Sequence, residues 1–289
     1  MVIPIRDENP TRRFPIVTLS LIVVNLFVFF VVQLPRDSEP GDLGVPISEG
    51  TELNYEYAAI PCELREGNAL TVGEFLTQRC GVALQGAPAG AADEVFPDKN
   101  VWLAVVFSMF MHGSIWHVLG NMLFLWIFGN NVEDRLGPFG FLAFYLVTGV
   151  AATLTHVVFN AESTVPLIGA SGAIAGVMGA YIVWFPHARV LSLIPILFFV
   201  GFVELPAGVV LAIWFVMQFL TNPNEGIAWL AHVGGFAAGA AIAYALRRVL
   251  PPAPLGPPRP PPRWRRRFGR HDDDDDWDPG FGGGYRGRT

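Results

Sequence analysis

The sequence predicts an all-α membrane protein with six transmembrane helices. Three observations carry that prediction. Of 289 residues, 52% are hydrophobic and only 15% are charged, too apolar a balance for a soluble chain of this size. The charges are segregated into the first residues, a loop near 36–99 and the tail, so the net charge of -6 says little. Between them lie six apolar stretches, each near the roughly 20 residues that a helix needs to cross a bilayer.

Those stretches are Ile16–Val32, Ser114–Gly129, Phe139–Phe159, Pro166–Phe185, Pro206–Leu220 and Trp229–Leu246. The first follows Arg12 and Arg13, but it reaches 17 residues and no small-x-small cleavage site comes after it. It is read as an anchor, not a removable signal. Several of the stretches are short and ask for a locally thinned bilayer. Two shorter runs, Val101–Met111 and Val190–Val203, are expected to be interfacial or re-entrant. This divides the chain into a cytoplasmic N-terminal segment (1–13), a membrane domain (14–250) with an extracytoplasmic loop at 35–100, and a tail (251–289). The tail is Pro-rich, then basic, then acidic, then Gly-rich, a composition that cannot bury a core and predicts disorder. Its Arg263–Arg270 cluster offers charge to anionic lipid heads, although a solvated tail without a specific partner is the plainer reading.

Lys and Arg placement sets the orientation. Arg6, Arg12, Arg13, Arg135, Arg189, Arg247 and Arg248 lie before the first stretch and after the second, fourth and sixth. The connections after the third and fifth contain neither residue. Both termini are therefore expected in the cytoplasm, and the compact core suggests a bacterial plasma membrane. Cys62 and Cys80 share the long polar loop. They are two free thiols, or a disulfide if that loop faces an oxidising compartment; composition does not decide.

Polar side chains inside a bilayer are costly, so each needs a reason. The candidates are Asn25, His117, Asn121, His156, Ser171 and His232. His117 and Asn121 are one helical turn apart in the second stretch, hence on one face. Ser171 opens "GASGAIAGVMGAY" in the fourth stretch, and His232 opens "AHVGGFAAGA" in the sixth. The second, fourth and sixth stretches run in the same direction, so all four residues should lie at one depth near the outer face. That holds only if Val190–Val203 is not a full crossing. Gly172, Gly176 and Gly179 on one helix and Gly235 and Gly239 on the other are small enough to bring the two backbones together. His232 can then reach Ser171. A serine hydroxyl needs an adjacent base to become a nucleophile, and neutral imidazole suits that task. No Asp or Glu lies at this depth on the same helices, which predicts a Ser–His dyad without a carboxylate. Asn121, His117 and the backbone N–H of Ser171 are the candidate donors to an oxyanion. Taken singly, each motif has a plainer explanation. A lone GASG packs helices, a lone membrane histidine is structural, and Asn121 can bond across helices. His112 and His156 are left as structural residues.

Four motifs in order give the chain a resemblance to the rhomboid family of intramembrane serine proteases, from about Ala58 to Leu246. "FMHGSIWHVLGNM" is similar to the family's second-helix motif and "GNNVEDRLG" to the Glu-x-Arg turn after it. "GASGAIAG" is similar to the nucleophile motif and "AHVGGFAAG" to the helix bearing the base. The resemblance implies a six-helix rhomboid bundle in which Ser171 is the nucleophile, His232 the general base, and His117 and Asn121 assist the oxyanion. It implies that Glu133 and Arg135 brace the loop after the second helix, and that the fifth stretch, with Trp214 and Phe215, is similar to the family's lateral gate. It further implies cleavage of single-pass transmembrane proteins in or beside the bilayer, with no cofactor, no metal and no nucleic-acid partner. One departure matters: where some members carry a Tyr stacked on the base, four residues after the nucleophile, this chain has Ala175. A rhomboid-like protein that binds membrane clients without cutting them would have lost the Ser or the His, and both are present. A proton-coupled transporter would show acids buried on its helices or an inverted repeat, and neither is found.

Overall fold

A computed structural model describes residues 2–43, 45–81, 90–196, 199–220 and 228–250. The tail, whose disorder and lipid contacts were expected from composition, lies outside the described residues. The chain begins with strand β1 (Ile3–Asp7) and helix α1 (Ile16–Phe27), which continues through a π turn (Val28–Gln33) and a 3-10 turn (Leu34–Ser38). Three short helices follow in the polar loop: α2 (Glu49–Tyr57), α3 (Pro61–Glu66) and α4 (Val72–Thr77). Then come α5 (Val101–Phe107), α6 (Ile115–Leu136), α7 (Pro138–Phe159) and α8 (Ser171–Trp184). Strands β2 (Arg189–Ile196) and β3 (Phe199–Pro206) precede α9 (Ala207–Gln218) and α10 (Trp229–Leu246).

The protein is a mostly helical membrane protein, but its helices do not all match the six expected crossings. Among the described residues, Ile16–Ser38, Pro138–Phe159 and Trp229–Leu246 are long and apolar enough to span. Val101–Phe110 and Ile115–Leu136 make a fourth if counted as one span, bent by 81°. The break falls at Gly113 and Ser114, where the Ser114 hydroxyl accepts from the His117 backbone N–H and starts α6 afresh. Helices α8 and α9 are apolar but only 14 and 12 residues long.

The all-α expectation needs one correction. Val190–Val203, expected to be interfacial or re-entrant, is not helical. It forms most of an antiparallel hairpin, running in register from Arg189↔Pro206 to Ile196↔Phe199. β-branched and aromatic residues make such a run a good strand, and a short apolar run cannot be told from a helix by periodicity alone. β1 adds to the open edge of β2, pairing Ile3 with Leu193 and Asp7 with Val190. The N-terminal segment is thus held in place. The Asp7 carboxylate accepts from the Tyr181 hydroxyl (2.8 Å) and the Asn131 amide (2.5 Å). Asp134 accepts from the backbone N–H groups of Arg12 and Arg13.

Glu133 corrects a second expectation. "GNNVEDRLG" is not a turn: α6 runs on to Leu136. From its last turns the buried Glu133 carboxylate accepts from the Val17 and Thr18 N–H groups and the Thr18 hydroxyl, at 2.7–2.9 Å. It caps the N-terminus of α1, satisfying N–H groups with no partner inside their own helix and placing negative charge at the positive end of the helix dipole. Arg135 places its guanidinium 5.0 Å from the Trp184 ring on α8.

The polar loop folds on its own small core of Ile60, Cys62 and Leu70. Cys62 and Cys80 form a disulfide, resolving what composition left open. Beside it lies a fully buried ion pair between Lys99 and Glu63, 2.6 Å apart and each 1% exposed. Burial pushes the Glu63 carboxyl up and the Lys99 ammonium down, and each charge partly offsets the shift of the other. Glu74 closes a capping box with Thr71 at the start of α4.

The polar loop and the N-terminal strand each generate a prediction. The disulfide closes a loop with a sequence separation of 18, so the chain-entropy model assigns it about 3 kcal/mol. Reduction, or Cys80→Ser, is expected to lower the thermal midpoint and to expose 62–80 to protease before the helical core unfolds. Burial lifts the Asp7 carboxyl from 3.8 to about 6, against the lowering bonds from Tyr181 and Asn131. The folded state therefore keeps a proton that the unfolded chain releases, so Asp7 favours folding most below pH 4 and loses about 3 kcal/mol as pH rises to 6. Asp7→Asn should remove that slope, read as a wild-type-minus-variant difference in thermal midpoint that falls between pH 4 and 6 and levels off above.

Candidate active site

The site begins with the segment that delivers Ser171. Residues ahead of α8 are extended and tied from two sides. Leu167 N–H donates to Ala59 carbonyl (2.8 Å) and Cys62 N–H to Ser163 carbonyl (3.0 Å), which joins the segment to the start of α3. Gly169 N–H donates to the Ser108 carbonyl (2.9 Å), while the Ser108 hydroxyl accepts from Ala59 N–H (2.7 Å). Gly169 has φ +122°, a conformation open to glycine, and a Cβ there would sit 2.9 Å from the His117 ring. The chain then turns through Ala170 and Ser171 becomes the first residue of α8.

Helix α8 lies against α10 without side chains between them. A Cβ on Gly235 would strike the Gly172 carbonyl, one on Gly239 the Gly176 carbonyl, and one on Gly179 the Phe236 carbonyl. This is the close approach that the glycine spacing predicts, locked from the far end by the Trp184 indole donating to the Ala243 carbonyl (3.0 Å). At the near end, Ser171 Oγ and His232 Nε2 are 2.7 Å apart. The hairpin between α8 and α9 returns the chain to its starting point, with Ala207 N–H bonded to the Ala188 carbonyl. It is therefore no crossing, and α6, α8 and α10 deliver their polar residues to one place.

That place is a cavity of about 480 Å³ lined by Ser171, His232, His117, Ser114, Ser108 and Thr153 among others. His117 stands over it, its ring edge-on to His112 at 5.1 Å. Asn121 is one turn along α6, buried, with its amide nitrogen unbonded among the described residues; it is not part of the cavity lining. The structure thus brings Ser171, His232 and His117 together and places Asn121 behind them. His112 is held by its backbone, which bonds both ends of the Gln33 side-chain amide. Asn25 turns back on its own helix and donates to the Leu21 carbonyl.

One residue was absent from the sequence candidates. The Gln218 side-chain oxygen lies 2.7 Å from His232 Nδ1, filling the place that a carboxylate was not expected to fill. Its signal was present: a polar amide inside the apolar stretch Pro206–Leu220 carries the same cost as the histidines. Trp214, on the same helix, sits 5.8 Å from the His232 ring at a tilt of 43°, packing without stacking.

A profile of the Rhomboid domain matches residues 99–249, more than half of the chain. The chain belongs to the rhomboid family. It is 34% identical over 93 residues to Rhomboid protein 1, mitochondrial, of Saccharomyces cerevisiae, a match covering 31% of this chain and 27% of the yeast protein. It is 37% identical over 104 residues to Presenilin-associated rhomboid-like protein A, mitochondrial, of Danio rerio, covering 35% and 27%. It is 35% identical over 91 residues to Rhomboid protease GluP of Bacillus subtilis, covering 32% and 17%. The chain thus spans about a quarter of the length of the first two relatives. Both are mitochondrial by name, so they do not favour the bacterial plasma membrane expected from the compact core.

The glycine contacts make a sharp test of how this rhomboid domain is held together. Gly239→Ala must push α10 off the Gly176 carbonyl, so overpacking should cost about 1–3 kcal/mol in thermal unfolding. Gly120→Ala on α6, where a Cβ meets nothing within 4 Å, is the control and should hold the midpoint or raise it slightly, since Ala is the better helix former.

Proposed function

We propose that this rhomboid protein is an intramembrane serine endopeptidase that cleaves single-pass transmembrane proteins in or beside the bilayer. The observation that carries the reading is the 2.7 Å contact between Ser171 Oγ and His232 Nε2 at the edge of a polar cavity. His232 takes the hydroxyl proton as Ser171 Oγ attacks the substrate carbonyl carbon. The negative charge that forms on the carbonyl oxygen meets the Ser171 backbone N–H, which has no acceptor within its own helix, and the side chain of His117, with the unbonded amide of Asn121 one turn further along α6 in support. His232 then gives its proton to the leaving amine, and an acyl-enzyme remains on Ser171. A water deprotonated by His232 attacks that ester, releasing the second product and restoring the hydroxyl. The cavity's hydroxyl and imidazole groups suit water at this depth. No step calls for a cofactor.

On this reading α1, α6, α7, α8, α9 and α10 are six crossings with both termini on the cytoplasmic side. Helix α8, at 14 residues and about 1.5 Å per residue, is about 21 Å long, against a hydrocarbon core of about 30 Å. The short helices support a domain that thins the bilayer around its site. A substrate helix entering there would lose part of its lipid cover. It must also unwind before attack, since helical hydrogen bonds hide its carbonyls.

The reading is tested with a fluorophosphonate probe on the detergent-solubilised full chain. Wild type is expected to label, and Ser171→Ala and His232→Ala to show no label. His117→Ala should slow labelling roughly 100- to 1000-fold, the range for losing an oxyanion donor, and Asn121→Ala, outside the cavity lining, should slow it less. A folded wild type that never labels would mark a silent, client-binding member instead.

A further inference from the structure

We infer that Gln218 is the positioning residue that fixes the tautomer of His232 and so determines which way the Ser171 proton can move. The inference deepens the protease reading and rests on it, since the tautomer matters to catalysis only if Nε2 must accept a proton. Gln218 is 8% exposed, so its amide has little water to turn to. Its Nε2 donates to the Trp214 carbonyl, 2.9 Å away and one turn back on α9. A carbonyl oxygen can only accept, so the amide nitrogen must be the atom on that side. The amide oxygen then faces His232 Nδ1 at 2.7 Å. That oxygen also only accepts, so Nδ1 must carry the hydrogen. Neutral imidazole has a single N–H, which leaves Nε2 bare. Nε2 is 2.7 Å from Ser171 Oγ, and the bond can form only with the hydroxyl donating. From the Trp214 carbonyl to the serine, every hydrogen points the same way. The opposite tautomer would set two acceptors, Oε1 and a bare Nδ1, against each other.

An amide does this without adding charge. A carboxylate in this position would orient the ring equally well, but it would bury a further ion in the bilayer. The titratable side chains that bear on His232 are His117 on α6 and His156 on α7, both imidazoles. Ala175 offers no ring to hold the imidazole, so its orientation depends on α9, through the Gln218 amide and the Trp214 packing.

The test follows fluorophosphonate labelling against pH on the full chain in detergent. Gln218→Ala is expected to label at least tenfold more slowly than wild type. Gln218→Glu should recover much of that rate and move the pH of half-maximal labelling upward by about one unit, because a carboxylate favours the imidazolium. A residue that only packs would lower the yield of folded protein and leave that pH where it was. An unmoved midpoint in folded Gln218→Glu, or a wild-type rate in Gln218→Ala, overturns the inference. Nitrogen NMR of histidine-labelled wild type reads the tautomer without any variant: hydrogen on Nδ1 supports the inference and hydrogen on Nε2 overturns it. The NMR result stands even if the wild type fails to label, an outcome that overturns the protease reading alone.

Discussion

The arrangement depends on one contact, the backbone-to-backbone seat of α10 on α8. Glycines at 179, 235 and 239 let the two backbones touch, so the carbonyls of one helix rest where the Cβ atoms of the other would be, while Gly172 and Gly176 leave room for Ala152 and Thr148 of α7 on their other side. In lipid there is little hydrophobic drive between helices, and close van der Waals packing must supply the attraction. Closeness also sets the chemistry. Two side chains as short as Ser and His can share a 2.7 Å bond from different helices only when the axes are unusually near. The Trp184 bond to the Ala243 carbonyl fixes the far end of the same pair, so the helices cannot splay from either side.

Around that seat, polar ties hold the neighbouring pieces in place. The disulfide-bonded loop holds the segment before Ser171 through Ala59 and Cys62, and Ser108 ties both to α5. At the other end, Glu133 caps α1 while Asp7 joins β1 to α6 and α8. These two sets of bonds lie at opposite ends of α8. The buried carboxylates Glu133 and Glu63 and the half-buried Asp7 all sit where backbone donors, side-chain donors or a cation meet them, as burial of charge requires.

Much of the site was legible in the sequence, because its residues are polar groups in apolar runs and few explanations fit them. The parity argument placed His117, Ser171 and His232 at one depth, and the cavity contains all three. Asn121 shared their face on α6, but periodicity gives direction and not reach, and it sits behind the cavity wall. Gln218 was overlooked because it was weighed as part of an apolar stretch and not as a buried amide. The hairpin was missed for a different reason: fourteen apolar residues rich in Val, Leu, Ile and Phe satisfy strand and helix alike, and pairing with β1 across nearly two hundred residues decides the matter. Glu133 looked like part of a turn because its partners, Val17 and Thr18, are over a hundred residues away. Long-range capping leaves no local mark.

The β2–β3 hairpin has a consequence for how this chain tolerates change in length. Its two ends meet at Arg189 and Pro206, so the excursion adds no net displacement between the end of α8 and the start of α9. Residues added or removed in matched pairs at its tip lengthen or shorten a dead end. The start of α9 stays where it is, and with it the handedness and polarity of everything downstream. The hairpin is thus a place where the gene can absorb insertions while the distance between nucleophile and base is left untouched.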